Sequence, residues 1–509
     1  MPSKVYSAAV VGVDAFEVEI EVHAGWGPDG KIAVVGLPDT AVKESRDRVL
    51  SALCNSALRR PRGKITINLA PATVRKEGPS FDLPIALAML QLHEQNRIPE
   101  LDHCYICGEL ALSGELRPVR GVLAIALEAR KRRRERLIVP HQNVAEAAVV
   151  DGLSVYGATS LSEVVQFLRG EKELVAVPAQ PWTVHRTRDE SDFSEVRGQY
   201  HVRRAVEVAA AGSHNLLMIG PPGSGKSMIA KRIPSILPPI GLEEAIETTK
   251  IHSICGQLNG DRQFITTRPF RSPHHTISDA GLLGGSMHPT PGEVSLAHNG
   301  VLFLDELPEF HRSTLEVMRQ PLEDGKVTIS RAAGSLTFPA AFMLIAAMNP
   351  CPCGHYGNVK RECRCSPAQV QKYRGRISGP LLDRIDIHVD VPAIDIQDLT
   401  GTMESESSEL MRNRVARARL VQRKRLRSEN GVRCNARLPN RLIRKYCQLD
   451  SAGLDLIKQA ASSLSLSARA YDRILKVART IADLASSDRI NVDHLSEAVQ
   501  YRALDRNLW

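Results

Sequence analysis

Two kinds of hydrophobic pattern distinguish the first third of the chain. In residues 16–22 and 64–69, hydrophobic and polar side chains alternate, as they do in strands that bury one face. Residues 83–92 repeat instead with the period of a helix. The beginning of the chain is therefore predicted to form an α+β domain.

Farther along, the hydrophobic runs become continuous. Residues 216–219, 301–304 and 342–347 carry apolar side chains only, which is typical of strands buried on both faces of a parallel sheet. From about residue 396 the pattern becomes helical, and Asn491 is placed to cap a final helix. One predicted helical face consists of Ala470, Ile474, Val477, Ala478 and Ile481.

These patterns predict a multidomain α/β protein. Its predicted segments are a domain of residues 1–170, a charged linker of residues 171–191, an α/β core of residues 192–395 with a cysteine-rich insertion at 351–365, and a helical domain of residues 396–509.

A glycine-rich segment follows the first continuous apolar run and precedes a helical pattern. Backbone N–H groups in such a loop can wrap phosphates, a lysine can reach the β- and γ-phosphates, and a serine can ligate Mg²⁺. The sequence therefore predicts that ATP and Mg²⁺ bind at this P-loop, with Lys226 on the phosphates and Ser227 on the metal. The loop consists of Gly220, Pro221, Pro222, Gly223, Ser224, Gly225, Lys226 and Ser227.

Polar residues end the next two apolar runs. Asp305 suits the Mg²⁺ shell and Glu306 suits polarising the attacking water, because two acids at the end of a buried strand need a compensating metal or substrate. Asn349 is placed to sense the γ-phosphate through a water, although it could also be only a turn residue before Pro350.

Four cysteines lie close together in the chain as Cys351-x-Cys353 and Cys363-x-Cys365. Without an evident export signal they are expected in a reducing compartment, where four nearby thiolates favour a zinc site over disulfides. Cys104 and Cys107 have no partner pair and are predicted to be core residues. The adjacent His274 and His275 have no acid close in sequence, so no role is assigned to them.

Charge and composition limit the function classes. The chain has 509 residues, 43% hydrophobic residues and a net charge of +9, which is compatible with nucleic acid without proving it. For the basic blocks 130–134 and 412–427, a solvated helix face and a phosphate-tracking surface both stay open. No signal peptide or membrane span is evident, so a cytoplasmic protein is expected.

The order of P-loop, acidic strand end and sensor asparagine resembles the AAA+ ATPases. Residues 379–386, Gly-Pro-Leu-Leu-Asp-Arg-Ile-Asp, resemble the finger segment of the magnesium-chelatase and MCM-like branch. This resemblance implies that Arg384 reaches a neighbour's ATP and that Arg469 acts as sensor 2. It also implies that a hairpin at 326–338, with Lys326 and Arg331, and an insertion at 281–285 face DNA in the pore of a ring.

The whole chain resembles the YifB/ComM family. The residues that carry this resemblance include Asp192-Phe193-Ser194, Arg197-Gly198-Gln199 and Asn349-Pro350-Cys351-Pro352-Cys353-Gly354. The resemblance implies a homohexameric, ring-shaped DNA helicase that drives branch migration during natural transformation. Single-stranded and branched DNA, and a recombinase, are the implied partners. An ATPase motor subunit of a metal chelatase is the first alternative.

The N-terminal domain resembles the Lon proteolytic domain, which has a ribosomal S5 domain 2-like fold. Residues 76–83 match the segment that carries the Lon nucleophile, here Ser80, but the position of the catalytic lysine falls at Val122-Leu123. An unassisted serine is a poor nucleophile at neutral pH. A Lon-like protease is therefore the less favoured alternative, and Ser80 is expected to be a structural relic.

Overall fold

The computed structural model describes residues 2–28, 31–92, 98, 101–178, 191–258, 264–285, 289–331, 334–358, 361–393, 405–429, 431–464 and 466–504. The chain divides into two compact units. Unit one combines Met1–Val184 with Gly241–Thr266, and unit two combines His185–Ile240 with Thr267–Trp509. Residues 241–266 therefore pack with the N-terminal unit, although they follow the P-loop in sequence. The division into segments 1–170, 171–191, 192–395 and 396–509 stays a prediction.

Unit one is built around a mixed sheet. Its strand order is β3-β4-β2-β1-β5-β8-β9, with β2 antiparallel to both β1 and β4 and parallel pairing from β1 through β5 and β8 to β9. The strands of this unit are β1 Ser3–Val11, β2 Asp14–Gly25, β3 Ile32–Val35, β4 Lys64–Ala70, β5 Cys104–Ile106, β6 Glu109–Leu110, β7 Leu116–Arg117, β8 Arg136–Pro140 and β9 Ser154–Ala158.

The alternating patterns of this unit produce strands with one buried face. Val18, Ile20 and Val22 of β2 are fully buried, whereas the intervening side chains are not. The helix Asp82–Leu90 is buried along its whole length, as its apolar sequence demands. The α-helices of this unit are Thr40–Asn55, Asp82–Leu90, Val122–Lys131, Val144–Ala147, Leu161–Leu168 and Leu242–Ile254, with 3₁₀ turns at Pro79–Phe81, Leu101–His103 and His141–Asn143.

Unit two contains the predicted parallel sheet. Its strand order is β11-β12-β15-β10-β16, and all its pairings are parallel. The continuous apolar runs form β10, β12 and β15, which are buried throughout. The strands of this unit are β10 Leu216–Ile219, β11 Phe270–Arg271, β12 Val301–Leu304, β13 Lys326–Arg331, β14 Gly334–Pro339, β15 Met343–Met348 and β16 Ile387–Asp390.

Helices surround this sheet and form the C-terminal part of the unit. The predicted face of the helix Ala468–Leu484 is buried, and the Asn491 side chain accepts a hydrogen bond from the His494 N–H to cap the last helix. The α-helices are Tyr200–Gly212, Lys226–Ile236, Asp279–Leu283, Glu293–Leu296, Arg312–Val317, Arg319–Asp324, Pro367–Arg374, Gly379–Leu382, Ser408–Arg425, Asn440–Tyr446, Ser451–Leu464, Ala468–Leu484 and Val492–Gln500, with 3₁₀ turns at Phe193–Glu195, Leu307–Glu309 and Asn435–Arg437.

Candidate active site

The glycine-rich loop connects the inner strand β10, which lies between β15 and β16, to the helix Lys226–Ile236. Gly223 and Gly225 have φ angles of 75° and 87°, a left-handed conformation that glycine adopts readily. A Cβ at Gly220 would lie 2.1 Å from the Val391 carbonyl oxygen, so only glycine fits there. The loop therefore delivers its backbone N–H groups and a helix N-terminus to the carboxyl edge of the sheet, where an anion is favoured.

Lys226 is the first residue of this helix, and its ammonium lies inside the loop. Its Nζ donates to the carbonyl oxygens of Gly220 at 2.8 Å and Pro221 at 2.9 Å, and lies 3.3 Å from Asn349 Oδ1. Burial lowers the pKa of Lys226, while the charges of Asp305 and Glu306 oppose this shift. A phosphate group would place a negative charge beside this buried cation and would raise the pKa of Lys226 again.

The two acids meet the loop from the neighbouring parallel strand. Ser227 Oγ donates to Asp305 Oδ2 at 2.5 Å, and Asp305 Oδ1 accepts from the Glu306 N–H at 2.9 Å. Glu306 has a left-handed backbone with φ 53°, and its side chain is 58% exposed. The carboxylate of Asp305 therefore faces the P-loop serine, whereas the side chain of Glu306 is largely exposed to solvent. A hydroxyl and a carboxylate oxygen are the donors that Mg²⁺ prefers.

His275 is a residue of this site that the sequence did not reveal. Its Nδ1 lies 3.5 Å from Glu306 Oε2, and its ring lies 4.0 Å from the ring of His274. No acid lies near these histidines in the sequence, but in the structure Glu306 lies next to His275. The short strand β11 pairs with β12 and brings the following loop to the same sheet edge, but two residues are too few to show a strand period in the sequence.

Arg384 is buried within its own chain. It donates to the Pro380 carbonyl oxygen at 2.7 Å and forms an ion pair with Glu323, and the residue is only 6% exposed. The pKa of Glu323 is lowered, first by this hydrogen bond and charge and further by Arg469 and Arg473. Arg469 itself is exposed. The predicted finger and the predicted sensor 2 therefore lie around one carboxylate.

The four cysteines converge as predicted. Their sulfur atoms all lie within 4.8 Å of one another, and the Cys351–Cys353, Cys353–Cys363 and Cys351–Cys363 separations are 3.4, 3.6 and 3.7 Å. A tetrahedral zinc with Zn–S bonds of about 2.3 Å requires sulfurs separated by about 3.8 Å. Backbone N–H groups of His355 and Arg364 lower the pKa of the Cys353 thiol to about 6. The donor set therefore fits zinc.

Of the two segments predicted to face DNA, the structure describes the hairpin 326–338 in part and the segment 281–285 in full. Lys326 begins β13, which pairs with β14 as a hairpin from Lys326↔Pro339 to Arg331↔Gly334. Residues 332–333 at its tip, and the side chain of Arg331, lie outside the described part. The segment 281–285 follows Ser278, whose hydroxyl caps the helix Asp279–Leu283.

Several arginines of the basic helix Ser408–Arg425 contact other residues of unit two. Arg412 donates to the Ser235 carbonyl oxygen at 2.6 Å, Arg414 pairs with Glu207 and Glu406, and Arg425 pairs with Asp483. Its exposed cations, such as Arg423 and Lys424, stay available to solvent. A structural role therefore accounts for part of the block 412–427.

In unit one, the segment that resembles the Lon nucleophile region contains a buried carboxylate, that of Asp82. Asp82 accepts from Arg48 Nε at 2.7 Å and from the Leu110 N–H at 3.2 Å. Leu123, at the position of the Lon lysine, is fully buried in the helix Val122–Lys131. Cys104 and Cys107 are buried as predicted.

Comparison with known proteins identifies the chain. A family model described as magnesium chelatase, subunit ChlI, matches residues 192–399; the corresponding C-terminal model matches residues 405–502, and a further ChlI model matches residues 18–143. The chain is 46% identical to the protein YifB of Escherichia coli and 45% identical to the competence protein ComM of Haemophilus influenzae, over 99% of this chain and 98% of each relative. The chain belongs to the YifB/ComM family.

This membership confirms the predicted family of magnesium-chelatase-like ATPases, and the parallel α/β architecture of unit two agrees with it.

A third match is local. Over 154 residues, or 28% of this chain and 26% of the relative, the chain is 31% identical to Lon protease 2 of Bacillus subtilis. Among the described residues, no helix is both long and apolar enough to cross a membrane.

Proposed function

We propose that the protein is a Mg²⁺-dependent ATPase that moves DNA, with branch migration during natural transformation as its task. The observation that carries the ATPase part is the convergence of Lys226, Ser227, Asp305 and Asn349 at one sheet edge, with Ser227 Oγ 2.5 Å from Asp305 and Lys226 Nζ 3.3 Å from Asn349. A lysine, a hydroxyl, a carboxylate and an amide in this arrangement suit a triphosphate with its metal.

Each residue has a separate part in this proposal. The loop Gly220–Ser227 holds the phosphates through its N–H groups. Lys226 supplies a positive charge that is largely shielded from solvent. Ser227 and Asp305 hold Mg²⁺, which neutralises charge on the phosphates when it is bound. Glu306 orients the attacking water, and Asn349 senses the γ-phosphate through a second water.

Assembly completes the site. We place the protein in a homohexameric ring in the cytoplasm, where Arg384 of one subunit reaches the ATP of the next and Arg469 acts as sensor 2 from the helical lid. Arg384 would leave Glu323 to do so, which makes Glu323 the residue that holds the finger before assembly. An arginine supplied in trans stabilises charge that develops on the transferred phosphoryl group.

The DNA part rests on the relatives. A protein 45% identical over the full length is named for competence, and incoming single-stranded and branched DNA is the substrate that this process provides. The hairpin with Lys326 and Arg331 and the segment 281–285 would line the pore, and a recombinase would act beside the motor. The Lon-like domain would serve as a scaffold or DNA-associated cap.

Zinc is the third proposed cofactor. Cys351, Cys353, Cys363 and Cys365 would hold one ion through four thiolates and close the loop around it. The ion would have a structural role, because four protein ligands leave no position for a substrate.

ATPase rates with and without forked DNA test the function. We expect stimulation by DNA, with a steep loss of DNA binding as salt rises. Arg331→Ala should keep basal ATPase but lose DNA stimulation and strand displacement, whereas Lys458→Ala, which removes an exposed charge from unit two, should change neither. Equal ATPase rates with and without DNA would contradict the DNA part alone.

Two observations favour other functions. The chelatase models span both the core and the C-terminal helices, so a motor subunit acting on a protein partner is the alternative; ATPase stimulation by a porphyrin-chelatase partner would favour it. The local match to Lon protease 2 favours a protease, which casein degradation would test. The buried Leu123 speaks against that activity.

A further inference from the structure

The cysteine loop lies directly against the P-loop. A Cβ at Gly354 would come within 2.4 Å of Pro222 Cδ and 2.7 Å of Pro222 Cγ. Because the proline ring is tied to the backbone, it cannot turn aside as a flexible side chain would. Gly354 is buried, and its backbone therefore forms a close-fitting seat for the middle of the phosphate-binding loop.

The other contacts of the cysteine loop fix this seat to unit two. The Tyr356 N–H donates to Cys351 Sγ at 3.3 Å, and Arg374 donates to the Pro350 carbonyl oxygen at 3.1 Å while its guanidinium lies 5.0 Å from the Tyr356 ring centre. Gly354 directly follows Cys353. Its position is consequently determined by how tightly the four sulfurs are held together.

We propose that the metal-loaded cysteine loop positions the P-loop for nucleotide, so that metal occupancy sets the affinity for ATP. This inference rests on the proposed ATP and zinc sites and adds a coupling between them. Pro222 follows Pro221, whose carbonyl oxygen holds Lys226 Nζ at 2.9 Å. A shift of Pro222 therefore reaches the lysine and the N–H groups that would surround the phosphates.

Without the metal, the four thiols lose the bond network that a tetrahedral ion supplies, and the seat at Gly354 is no longer held. The P-loop then samples conformations that do not bind nucleotide. Affinity falls in proportion to the fraction of molecules in the competent conformation. The structural metal thus acts on ATP binding without touching ATP.

The experiment uses the full chain and two readouts, zinc content by elemental analysis and equilibrium binding of a fluorescent ATP analogue. Gly354→Ala should keep zinc yet bind the analogue about tenfold more weakly, because the added Cβ displaces Pro222 and leaves about one molecule in ten with a binding-competent P-loop. Gly357→Ala is the matched control: Gly357 lies in the same loop with φ 77°, close to the φ 80° of Gly354, but a Cβ there meets nothing within 4 Å. It should keep both zinc and affinity.

Cys353→Ser should lose both zinc and affinity for the analogue. Circular dichroism of this variant is the control that tests whether the rest of the chain is still folded. A metal-free wild-type protein, or a Gly354→Ala variant with wild-type affinity, would overturn the proposal. Loss of zinc with unchanged ATP affinity would do so as well. Failure of the ATPase assignment is separate, since it would appear as a wild-type protein that does not bind the analogue at all.

Discussion

The imidazole Nδ1 of His275 lies 3.5 Å from Oε2 of Glu306. The Phe310 ring lies nearly perpendicular to the same imidazole at a centroid distance of 6.4 Å, and the His274 ring lies tilted beside it at 4.0 Å. His275 is thus packed on two sides and presents a nitrogen to the acid that we propose orients water. It is placed to set the direction of that acid.

Replacement of His275 should change hydrolysis more than binding. We expect His275→Ala to keep the affinity for ATP and to lower kcat roughly tenfold to 100-fold, the range typical when a residue that orients a functional group is removed. His275→Gln, which retains a hydrogen-bonding group toward Glu306, should recover part of the rate. Rate and affinity falling together in both variants would show that the histidine only supports the fold.

The P-loop and the acidic strand end should separate binding from turnover. Lys226→Ala should abolish ATP binding, because it removes the charge that faces the phosphates. Glu306→Gln should keep binding and stop hydrolysis, since an amide cannot polarise the attacking water. Binding assays and single-turnover rates on the two variants measure this separation. Near-normal turnover of Glu306→Gln would remove that residue from its role.

Local sequence signals predicted the sheet and its edge well, because they depend on periodicity and on residues next to one another. Asp305, Asn349 and the P-loop each end a continuous apolar run, so parallel pairing alone brings them together. His275 and Glu323 gave no such signal. Each depends on an element of two to six residues, β11 or the helix Arg319–Asp324, which is too short for a period to show.

The packing of Gly241–Thr266 with unit one was equally beyond prediction. Gly241 is the N-cap residue of the helix Leu242–Ile254, and the Glu244 side chain accepts from the Gly241 N–H at 3.1 Å. This local signal marks a helix start but says nothing about which core receives the helix. In the structure Ser253 donates to the buried Glu146, a contact between residues 107 positions apart.

Asp386 should be a main determinant of how much stability the protein loses at low pH. Its carboxylate pairs with Arg473, accepts from the Asn215 N–H at 2.9 Å and lies 3.4 Å from His214 Nδ1. Burial would raise the pKa of Asp386, but the charge of Arg473 and the hydrogen bonds outweigh it and hold this pKa far below its usual range. Asp386→Asn should lower the free energy of unfolding by about 3 kcal/mol, because it leaves a half-buried arginine without its partner.

The sign of the pH dependence follows from the two lowered pKa values. Burial lowers the pKa of His214, so its contribution begins to be lost as pH falls below about 6.5, the value for an unfolded histidine. The contribution of Asp386 is complete above about pH 4 and is lost below it. Urea unfolding between pH 7 and 3 measures both. Asp455→Asn, which changes an exposed carboxylate, is the control and should alter stability by less than about 0.5 kcal/mol.

Arg384 should act across a subunit interface despite its contact with Glu323 in the same chain. Arg384→Ala subunits should bind ATP but not hydrolyse it, because the site lacks the charge that a neighbour supplies. Mixed with Lys226→Ala subunits, they should regain activity at interfaces that combine an intact P-loop with an intact arginine. Glu323→Gln weakens the intrachain ion pair without removing the finger, so it should keep ATPase activity. If mixed rings form and show no recovery at any ratio, Arg384 is a structural partner of Glu323 and not a finger.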